Sequence, residues 1–249
     1  MNAMTNSRVH SERGFTLIEL VIVILVIGVI GTVAVLRMQE TVETARYEQT
    51  KQEMEQLALA IVGNPELTSD GARTDFGFVG DNGCLPSSLD NLIQNPGGWS
   101  TWSGPYMGGG IASTDFKRDG WNTNYLLVDT LLRSTGSGAN IDKIFAGSSS
   151  SLLSNSVTGW IRDASSQPPG NIYDDSIRVI LSYPNGSGST TTTVINPATD
   201  GRFSFSGIPV GNHALRVVYV PDSDTVSVPV TVYPGRDVTL DVMFPADLW

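Results

Sequence analysis

The sequence is poor in the residues that most enzymes use for chemistry. Cys84 is the only cysteine, which excludes an intrachain disulfide and any Cys-x-x-Cys metal or redox site. There are two histidines, His10 and His213, so a catalytic histidine would have to be one of them. Basic residues are also few, with 15 Lys and Arg against 25 Asp and Glu and a formal net charge of −10. This balance argues against a nucleic-acid partner, because phosphate binding needs a concentrated basic face.

No catalytic constellation surrounds these residues in the sequence. His213 lies between Asn212 and Ala214 at the start of a predicted strand, with no nucleophile elbow or metal partner nearby. This setting is typical of a surface histidine in a strand. Cys84 is expected to be a small, half-buried residue rather than a reactive thiol. The sequence therefore predicts a protein that is not an enzyme.

Near the N-terminus lies one long apolar run, Phe15–Leu36, in which Glu19 is the only charged residue. As a helix, at about 1.5 Å per residue, this run spans roughly 33 Å, which is enough to cross a bilayer. The run is too long for an ordinary secretory signal, and the residues after it continue a helical pattern, so we expect it to be retained. Arg8 and Arg13 precede it and Arg37 follows, which predicts a cytoplasmic N-terminus and a body outside the bacterial inner membrane.

The start of this run carries a specific motif. The stretch RGFTLIEL resembles the processing motif of the type IV pilin superfamily, which includes type IV pilins and the pseudopilins of type II secretion. The resemblance implies that a prepilin peptidase cuts between Gly14 and Phe15 and that the new Phe15 amine is N-methylated. The discarded leader would be residues 1–14 if Met1 is the start, and shorter if Met4 is.

The same resemblance assigns a role to the acid at position 19. A carboxylate inside a membrane helix costs roughly 2.5–3.5 kcal/mol, and such residues are usually functional. In a filament of parallel helices, Glu19 of one subunit would pair with the Phe15 amine of its neighbour and fix the register. The simpler alternative is that Glu19 lies shallow, where it reaches the interface or is protonated. Leu36 stands where related subunits commonly have proline, so no proline-induced break is expected there.

Beyond the membrane run, the helix is predicted to continue to Val62 and to end at Gly63-Asn64-Pro65, giving one helix over residues 15–62. Residues 63–154 are rich in turn signals and are predicted to form a small antiparallel sheet against the outer half of this helix. They also resemble the loops of major pseudopilins, in which Gly-Pro-Tyr precedes Asp-Pro-Trp-Gly and a tyrosine. The matching residues are Gly104, Pro105, Tyr106, Asp119, Trp121 and Tyr125.

Major pseudopilins often bind calcium in the loop that follows. Here that loop holds two acids, Asp129 and Asp142, which are therefore weak calcium candidates, with Asp115 and Asp119 as outside candidates. Calcium prefers six to eight oxygen ligands, several of them carboxylates or carbonyls. Two acids in a Gly- and Ser-rich loop are more often ordinary turn residues, so the sequence predicts no other cofactor and leaves calcium open.

The last part of the chain has a different pattern. Residues 146–156 are predicted to be a linker, and beyond them seven short alternating runs at about ten-residue spacing predict a β-sandwich over residues 155–249. The alternation places Ile177, Val179 and Leu181 on one face, and Phe203 and Phe205 are predicted to anchor the core. The stretch GRFSFSGIPVG resembles the carboxypeptidase regulatory-like, transthyretin-like family, whose modules serve as spacers, interaction domains or sugar-binding units.

Together these patterns predict an α+β protein in which a long transmembrane and stalk helix with a small antiparallel sheet is followed by a seven-stranded sandwich. The predicted function is a structural subunit of a type II secretion pseudopilus or type IV pilus-like filament. Its expected partners are other subunits, the prepilin peptidase, the inner-membrane assembly platform with its ATPase, and secreted cargo or the outer-membrane channel. Two alternatives stay open: a type IV pilin for adhesion, motility or DNA uptake, and a membrane-anchored module that binds polysaccharide or peptide without polymerising.

Overall fold

The fold class predicted from the sequence is confirmed: a long N-terminal helix precedes a series of mostly antiparallel strands. The computed structural model describes residues 14–108 and 115–249. The chain divides into two compact units, one ending at Arg46 and the other comprising Tyr47–Trp249. Residues 1–13 of the predicted leader, with Arg8 and Arg13, lie outside the described residues.

Helix α1 spans Leu17–Val62, and it ends where the sequence predicted. At the end Gly63 takes a left-handed conformation, with φ of +79°, and its N–H donates to the Leu59 carbonyl at 2.7 Å. A Cβ at this position would lie 2.4 Å from the Asp75 carbonyl oxygen, so only glycine fits. Within the second unit, α1 buries one face made of Thr50, Met54, Leu57, Ala58, Ala60 and Ile61.

The first hydrophobic core is built around this face of α1. A three-stranded antiparallel sheet formed by Leu126–Val128, Leu131–Ser134 and Ile141–Ile144 contributes Leu132 and Ile141, and a short helix at Gly77–Asn82 contributes Phe78 and Val79. The predicted small antiparallel sheet is therefore present. The elements of this region are β1 (Thr68–Ser69), β2 (Ala72–Arg73), α2 (Gly77–Asn82), β3 (Leu126–Val128), β4 (Leu131–Ser134) and β5 (Ile141–Ile144), with 3₁₀ helices at Leu89–Leu92 and Asp115–Lys117.

The second hydrophobic core lies between two sheets that together contain seven strands. One sheet has four strands, in the order Asp224–Val232, Gly211–Tyr219, Ile177–Pro184 and Thr190–Ile195. The other sheet has three strands, in the order Val238–Met243, Asn155–Arg162 and Arg202–Ile208. The elements are α3 (Ser149–Leu153), β6 (Asn155–Arg162), α4 (Gly170–Tyr173), β7 (Ile177–Pro184), β8 (Thr190–Ile195), β9 (Arg202–Ile208), β10 (Gly211–Tyr219), β11 (Asp224–Val232) and β12 (Val238–Met243), with a 3₁₀ helix at Asp174–Ser176.

Alternation of apolar residues sets the faces of these sheets. Ile177, Val179 and Leu181 are fully buried, and Phe203 and Phe205 lie in the same core, as predicted. The pairing of β12 with β6 is parallel, whereas the other pairs are antiparallel. Parallel neighbours need a crossover instead of a tight turn, and here the last strand returns beside the first one of the sandwich.

The predicted linker at 146–156 is wrong in its middle. Residues Ser149–Leu153 form α3, capped by the Ser148 side chain, and Leu152 is buried in the first core. Serine composition suggested a tether, but one buried leucine and a helix cap fix the segment. The Leu152 carbonyl then accepts from the Val210 N–H at 2.8 Å, which ties this segment to the turn between β9 and β10, and Val210 is itself buried in the first core.

Further contacts hold the sandwich against the region before it. The Gly186 N–H donates to the Asn82 carbonyl at 3.0 Å, and the Ser100 N–H donates to the Gly188 carbonyl at 2.8 Å. At Gly83, a Cβ would lie 2.4 Å from the Pro184 carbonyl oxygen, so the two backbones touch where no side chain fits. The sandwich is therefore docked through its loops onto the first core.

Candidate functional site: the N-terminal segment

The residues of the predicted processing site lie at the start of the described chain. Gly14 and Phe15 are exposed, and the Phe15 side chain retains 79% of its accessible surface. A Cβ at Gly14 would meet nothing within 4 Å. The bond between them is thus sterically open, although cleavage and methylation there stay predictions.

Helix α1 begins with a capping arrangement centred on Glu19. The Thr16 Oγ1 accepts from the Glu19 N–H at 3.3 Å, and one Glu19 carboxylate oxygen accepts from the Thr16 N–H at 3.4 Å and lies 3.5 Å from its hydroxyl. These long but reciprocal hydrogen bonds form a capping box, which satisfies amides that the first helical turn leaves free. The carboxylate also lies at the positive end of the helix dipole.

Glu19 therefore has two compatible uses in this geometry. In the single chain it caps its own helix, and its side chain stays exposed in the first turn of α1. The structure contains one chain and places no second amine near the carboxylate, so the pairing with a neighbouring Phe15 stays a prediction. The sequence analysis missed the cap. The signal was present, because Thr16-Leu17-Ile18-Glu19 fits the Thr-x-x-Glu pattern of a capping box ahead of an apolar run.

The rest of the first unit presents apolar side chains that nothing in the described chain covers. Every residue from Gly14 to Ala45 is exposed, and Leu17 retains 83% of its accessible surface. Among the described residues, α1 is the one helix long and apolar enough to cross a membrane. Gly28 and Gly31 leave open space where a Cβ would stand, so a neighbouring helix could approach closely there.

The loop that resembles pseudopilins is organised by a buried carboxylate. Asp119 is only 5% exposed. Its Oδ1 accepts from the N–H groups of Trp121 and Thr123 at 3.0 and 2.8 Å, and its Oδ2 accepts from the Ser134 hydroxyl and the Gly136 N–H at 2.6 and 3.1 Å. Four donors from the chain thus satisfy both oxygens of the carboxylate.

This loop also forms hydrogen bonds with the buried half of α1. The Gly120 N–H donates to the Thr50 hydroxyl at 3.0 Å, and the Tyr125 hydroxyl donates to Glu53 at 2.7 Å. Burial and the neighbouring Glu53 carboxylate raise the pKa of Tyr125 well above its usual range. The motif residues Asp119, Gly120 and Tyr125 therefore have a shared structural role, which is to hold the stalk helix against the small sheet.

Of the two weak calcium candidates, Asp142 lies in an ion pair and Asp129 lies in a turn. Arg133 donates from Nε and Nη2 to the two carboxylate oxygens of Asp142, both at 2.7 Å, and this ion pair lowers the pKa of Asp142. Asp129 takes a left-handed conformation in the turn between β3 and β4, with φ of +51°. Within the described residues there is no group of three or more His, Cys, Asp or Glu that could hold a metal. Calcium binding at Asp129 and Asp142 stays a prediction.

The two candidate reactive side chains, Cys84 and His213, are half-buried and buried, respectively. Cys84 is a free, half-buried cysteine, as predicted, and burial raises the pKa of its thiol, which disfavours the reactive thiolate. His213 is buried, so the predicted surface position is wrong. Its Nε2 lies 2.7 Å from the Pro209 carbonyl oxygen. Burial lowers the pKa of His213 more than this hydrogen bond raises it, which fits a neutral ring that donates from Nε2.

A comparison with protein families identifies a match at the N-terminus. Residues 9–35 match the prokaryotic N-terminal methylation motif. The matched segment includes Gly14, Phe15 and Glu19, and it covers the start of α1. The chain therefore carries a type IV pilin-like prepilin signal on a long apolar helix of the kind that anchors proteins in a membrane. No curated protein matches the sequence at a significant level.

Several solved structures are similar to part of this chain at low identity. The dioxygenase domain of a dioxygenase and carbohydrate-binding protein fusion from Streptomyces sp. SirexAA-E is 12% identical, over 39% of this chain and 82% of that one, with a TM-score of 0.27. A DUF3823 family protein from Parabacteroides merdae is 13% identical, over 37% and 46%, with a TM-score of 0.26. BcpA, the major pilin subunit of Bacillus cereus, is 12% identical, over 51% and 42%, with a TM-score of 0.26.

The chain spans less than half the length of the last two structures. At these TM-scores the likenesses carry no argument about the function of this chain. The functional argument rests on the N-terminal motif and on the geometry of the helix that carries it.

Proposed function

We propose that this chain is a structural subunit of a type II secretion pseudopilus or a related type IV pilus-like filament. It is made as a prepilin, cut between Gly14 and Phe15 and methylated on Phe15. It is held in the inner membrane by the first half of α1, with its N-terminus in the cytoplasm. It is not an enzyme, and mechanical work comes from assembly driven by a separate ATPase at the inner-membrane platform.

One observation carries this proposal. A methylation motif lies at the start of a helix whose first half exposes its apolar side chains and whose second half is buried in the globular unit. Exposed apolar surface of this extent needs lipid or other apolar helices around it. A helix that leaves the membrane for a filament of parallel copies exchanges lipid contacts for helix contacts.

The choice of the secretion branch rests on the loop around Asp119. Its Asp-Gly-Trp-Asn sequence resembles the Asp-Pro-Trp-Gly motif of major pseudopilins, and in the structure it fastens the stalk helix through Thr50. The sandwich resembles carboxypeptidase regulatory-like modules and would be displayed on the filament surface. On every subunit such a module would crowd a helical filament, which favours a minor or specialised subunit that meets cargo or the outer-membrane channel.

The capping box allows a sharp test of the Glu19 pairing. Glu19→Gln keeps a side chain that can complete the cap but removes the negative charge, whereas Thr16→Ala weakens the cap and keeps the charge. If Glu19 pairs with the Phe15 amine of a neighbour, Glu19→Gln loses incorporation into filaments and Thr16→Ala retains it. The readout is the amount of this chain in sheared or affinity-isolated filaments, at equal membrane levels.

The opposite pattern would assign Glu19 to capping alone. Incorporation by Glu19→Gln with loss by Thr16→Ala would contradict the pairing. A chain that remains monomeric in the membrane, whether or not Glu19 is changed, would support the anchored binding module instead. Comparing exoprotein release with surface motility after deletion of the gene separates the secretion subunit from a type IV pilin for adhesion, motility or DNA uptake.

A further inference from the structure

The outer face of the three-stranded sheet carries one tryptophan whose cross-strand partners are charged, together with one exposed methionine, Met243, at the end of the last strand. Trp160 lies on the central strand β6, between the buried residues Gly159 and Ile161, and its half-buried indole is on the side of the sheet away from the core. The aromatic residues of the core, Phe203 and Phe205, point the other way. Trp160 is therefore not needed to fill the sandwich.

The strand register places charged residues on both sides of this indole. Asp241 on β12 and Arg202 on β9 are the direct cross-strand partners of Trp160, and both are exposed. At about 4.8 Å between strands, this row measures roughly 10 Å across. The Arg202 guanidinium carbon lies 5.6 Å from the indole centroid, a cation–π contact that orients the ring from one side.

A second row, made of hydroxyls, lies one step along the same face. Thr158 follows the alternation of β6, and its cross-strand partners are Thr239 on β12 and Ser204 on β9. We call the surface formed by these two rows the Trp160 face; its residues are Thr158, Trp160, Arg202, Ser204, Thr239 and Asp241. The face has one positive and one negative side chain and so no net charge.

Trp160 differs from two other tryptophans of the chain in the hydrogen bonding of its indole N–H. The indole N–H of Trp102 donates to the Asn91 carbonyl at 2.8 Å, and that of Trp249 donates to the Gln167 carbonyl at 2.9 Å. The N–H of Trp160 has no hydrogen-bond acceptor among the described residues, and its indole has no aromatic neighbour there. The ring offers both a donor and part of its π-face to a ligand.

This combination matches the chemistry of a carbohydrate. The C–H groups on one side of a pyranose carry partial positive charge and pack on the negative face of an aromatic ring, while its hydroxyls exchange hydrogen bonds with carboxylate, guanidinium and hydroxyl groups. The buried centre of a protein interface is depleted of charged residues, whereas this face places Arg202 and Asp241 directly beside its aromatic ring. A nucleic acid needs a basic surface, which a chain of net charge −10 does not supply.

We propose that the Trp160 face is a binding site for an uncharged polysaccharide chain, with Trp160 as the stacking platform and Asp241 and Arg202 as its polar flanks. The site goes beyond the filament role, because it lies in the sandwich and needs no assembly. A subunit that displays it would bring a glycan surface or a glycan-bearing cargo to the filament.

The test uses the full chain, purified in a detergent without a sugar headgroup. The probes are hexasaccharides of β-1,4-linked glucose, N-acetylglucosamine, xylose and mannose, titrated by calorimetry and by tryptophan fluorescence. We expect at least one probe to bind with a Kd below about 1 mM. Trp160→Ala should weaken binding at least about tenfold, the loss of roughly one stacking contact. Trp160→Phe should weaken it less, because a ring remains.

Matched variants separate the site from general effects on the fold. Arg202→Ala and Asp241→Ala should weaken binding, and Arg216→Ala, an exposed arginine on the other sheet, should leave it unchanged. Equal thermal unfolding midpoints for Trp160→Ala and the unchanged chain exclude misfolding. Absence of binding to all four probes, or equal binding by Trp160→Ala, would overturn the proposal. So would loss of self-association in Trp160→Ala without saccharide binding, which would make the face a protein contact.

Discussion

The two halves of helix α1 have the same backbone and opposite surroundings. In the first compact unit, residues such as Ile24 are apolar and exposed, at 61% of their accessible surface. Ile61 lies on the same helix in the second unit, where it is fully buried in the hydrophobic core between α1 and the three-stranded sheet β3–β4–β5. The apolar side chains of the second half are thus covered by the chain itself, whereas those of the first half need lipid or another helix to cover them. We expect substitutions to change stability in the second unit and anchoring or assembly in the first.

The largest difference in stability is expected between the same isoleucine-to-alanine substitution in the two halves of α1. Ile61→Ala should lower the free energy of unfolding by about 2–5 kcal/mol, because it leaves a cavity in a packed core. Ile24→Ala should leave this free energy unchanged. Denaturation of the full chain in detergent, followed by tryptophan fluorescence, measures this, since all five tryptophans lie in the second unit. Equal losses in the two variants would break the comparison.

A smaller effect is expected at the loop that holds the buried half of the helix. Asp119→Ala removes an acceptor of four hydrogen bonds and leaves buried donors unpaired, at a cost of about 1–3 kcal/mol. Asp129→Asn is the matched control, because this residue lies in an exposed turn whose left-handed backbone asparagine also tolerates. A loss at Asp129→Asn as large as at Asp119→Ala would refute the role of Asp119.

The sandwich should show its own pH dependence through His213. Burial lowers its folded pKa, so the neutral ring contributes stability above the unfolded value of about 6.5, and that stability is lost as the pH falls through the folded value. His213→Phe should therefore flatten the dependence of the unfolding free energy on pH below about pH 6.5. An NMR titration of the His213 imidazole checks the direction directly. A midpoint above 6.5 would contradict it.

The smallest effect is expected at the exposed pair Arg133–Asp142. Surface ion pairs contribute little and are screened by salt, so Arg133→Ala should change stability less than the other variants, and not at all at high salt. The same variant frees the Asp142 carboxylate. If calcium binds there, its effect on the unfolding midpoint should be larger in Arg133→Ala than in the unchanged chain. An equal calcium effect would place any calcium elsewhere.

The parts that the sequence predicted well are those governed by local periodicity. The alternation at Ile177, Val179 and Leu181 identified a sheet face, and Gly63 identified the end of α1, because both signals act within a few residues. The seven strands of the sandwich follow the predicted runs closely for the same reason.

The errors come from contacts between distant residues. His213 has an ordinary strand setting in the sequence, and its burial depends on the turn that carries Pro209 and on the Tyr183 ring from the adjacent strand β7. The segment containing Leu152 has the serine-rich composition of a linker. Its sequence does not show that Leu152 packs into a core formed by distant residues. The outward position of Trp160 beside Asp241 and Arg202 requires the register of three strands, one of them from the end of the chain.

The central claim, a processed filament subunit, is tested most directly at its N-terminus. Trypsin cuts after Arg13 and Arg37, so the uncut chain gives a peptide of residues 14–37 and the processed chain gives residues 15–37. Mass spectrometry of sheared filaments and washed membranes should find the shorter peptide with a methylated Phe15 amine. Enrichment in sheared filaments would indicate long filaments, and confinement to membranes a short pseudopilus or minor subunit. The peptide that retains Gly14, in both fractions, would contradict the account.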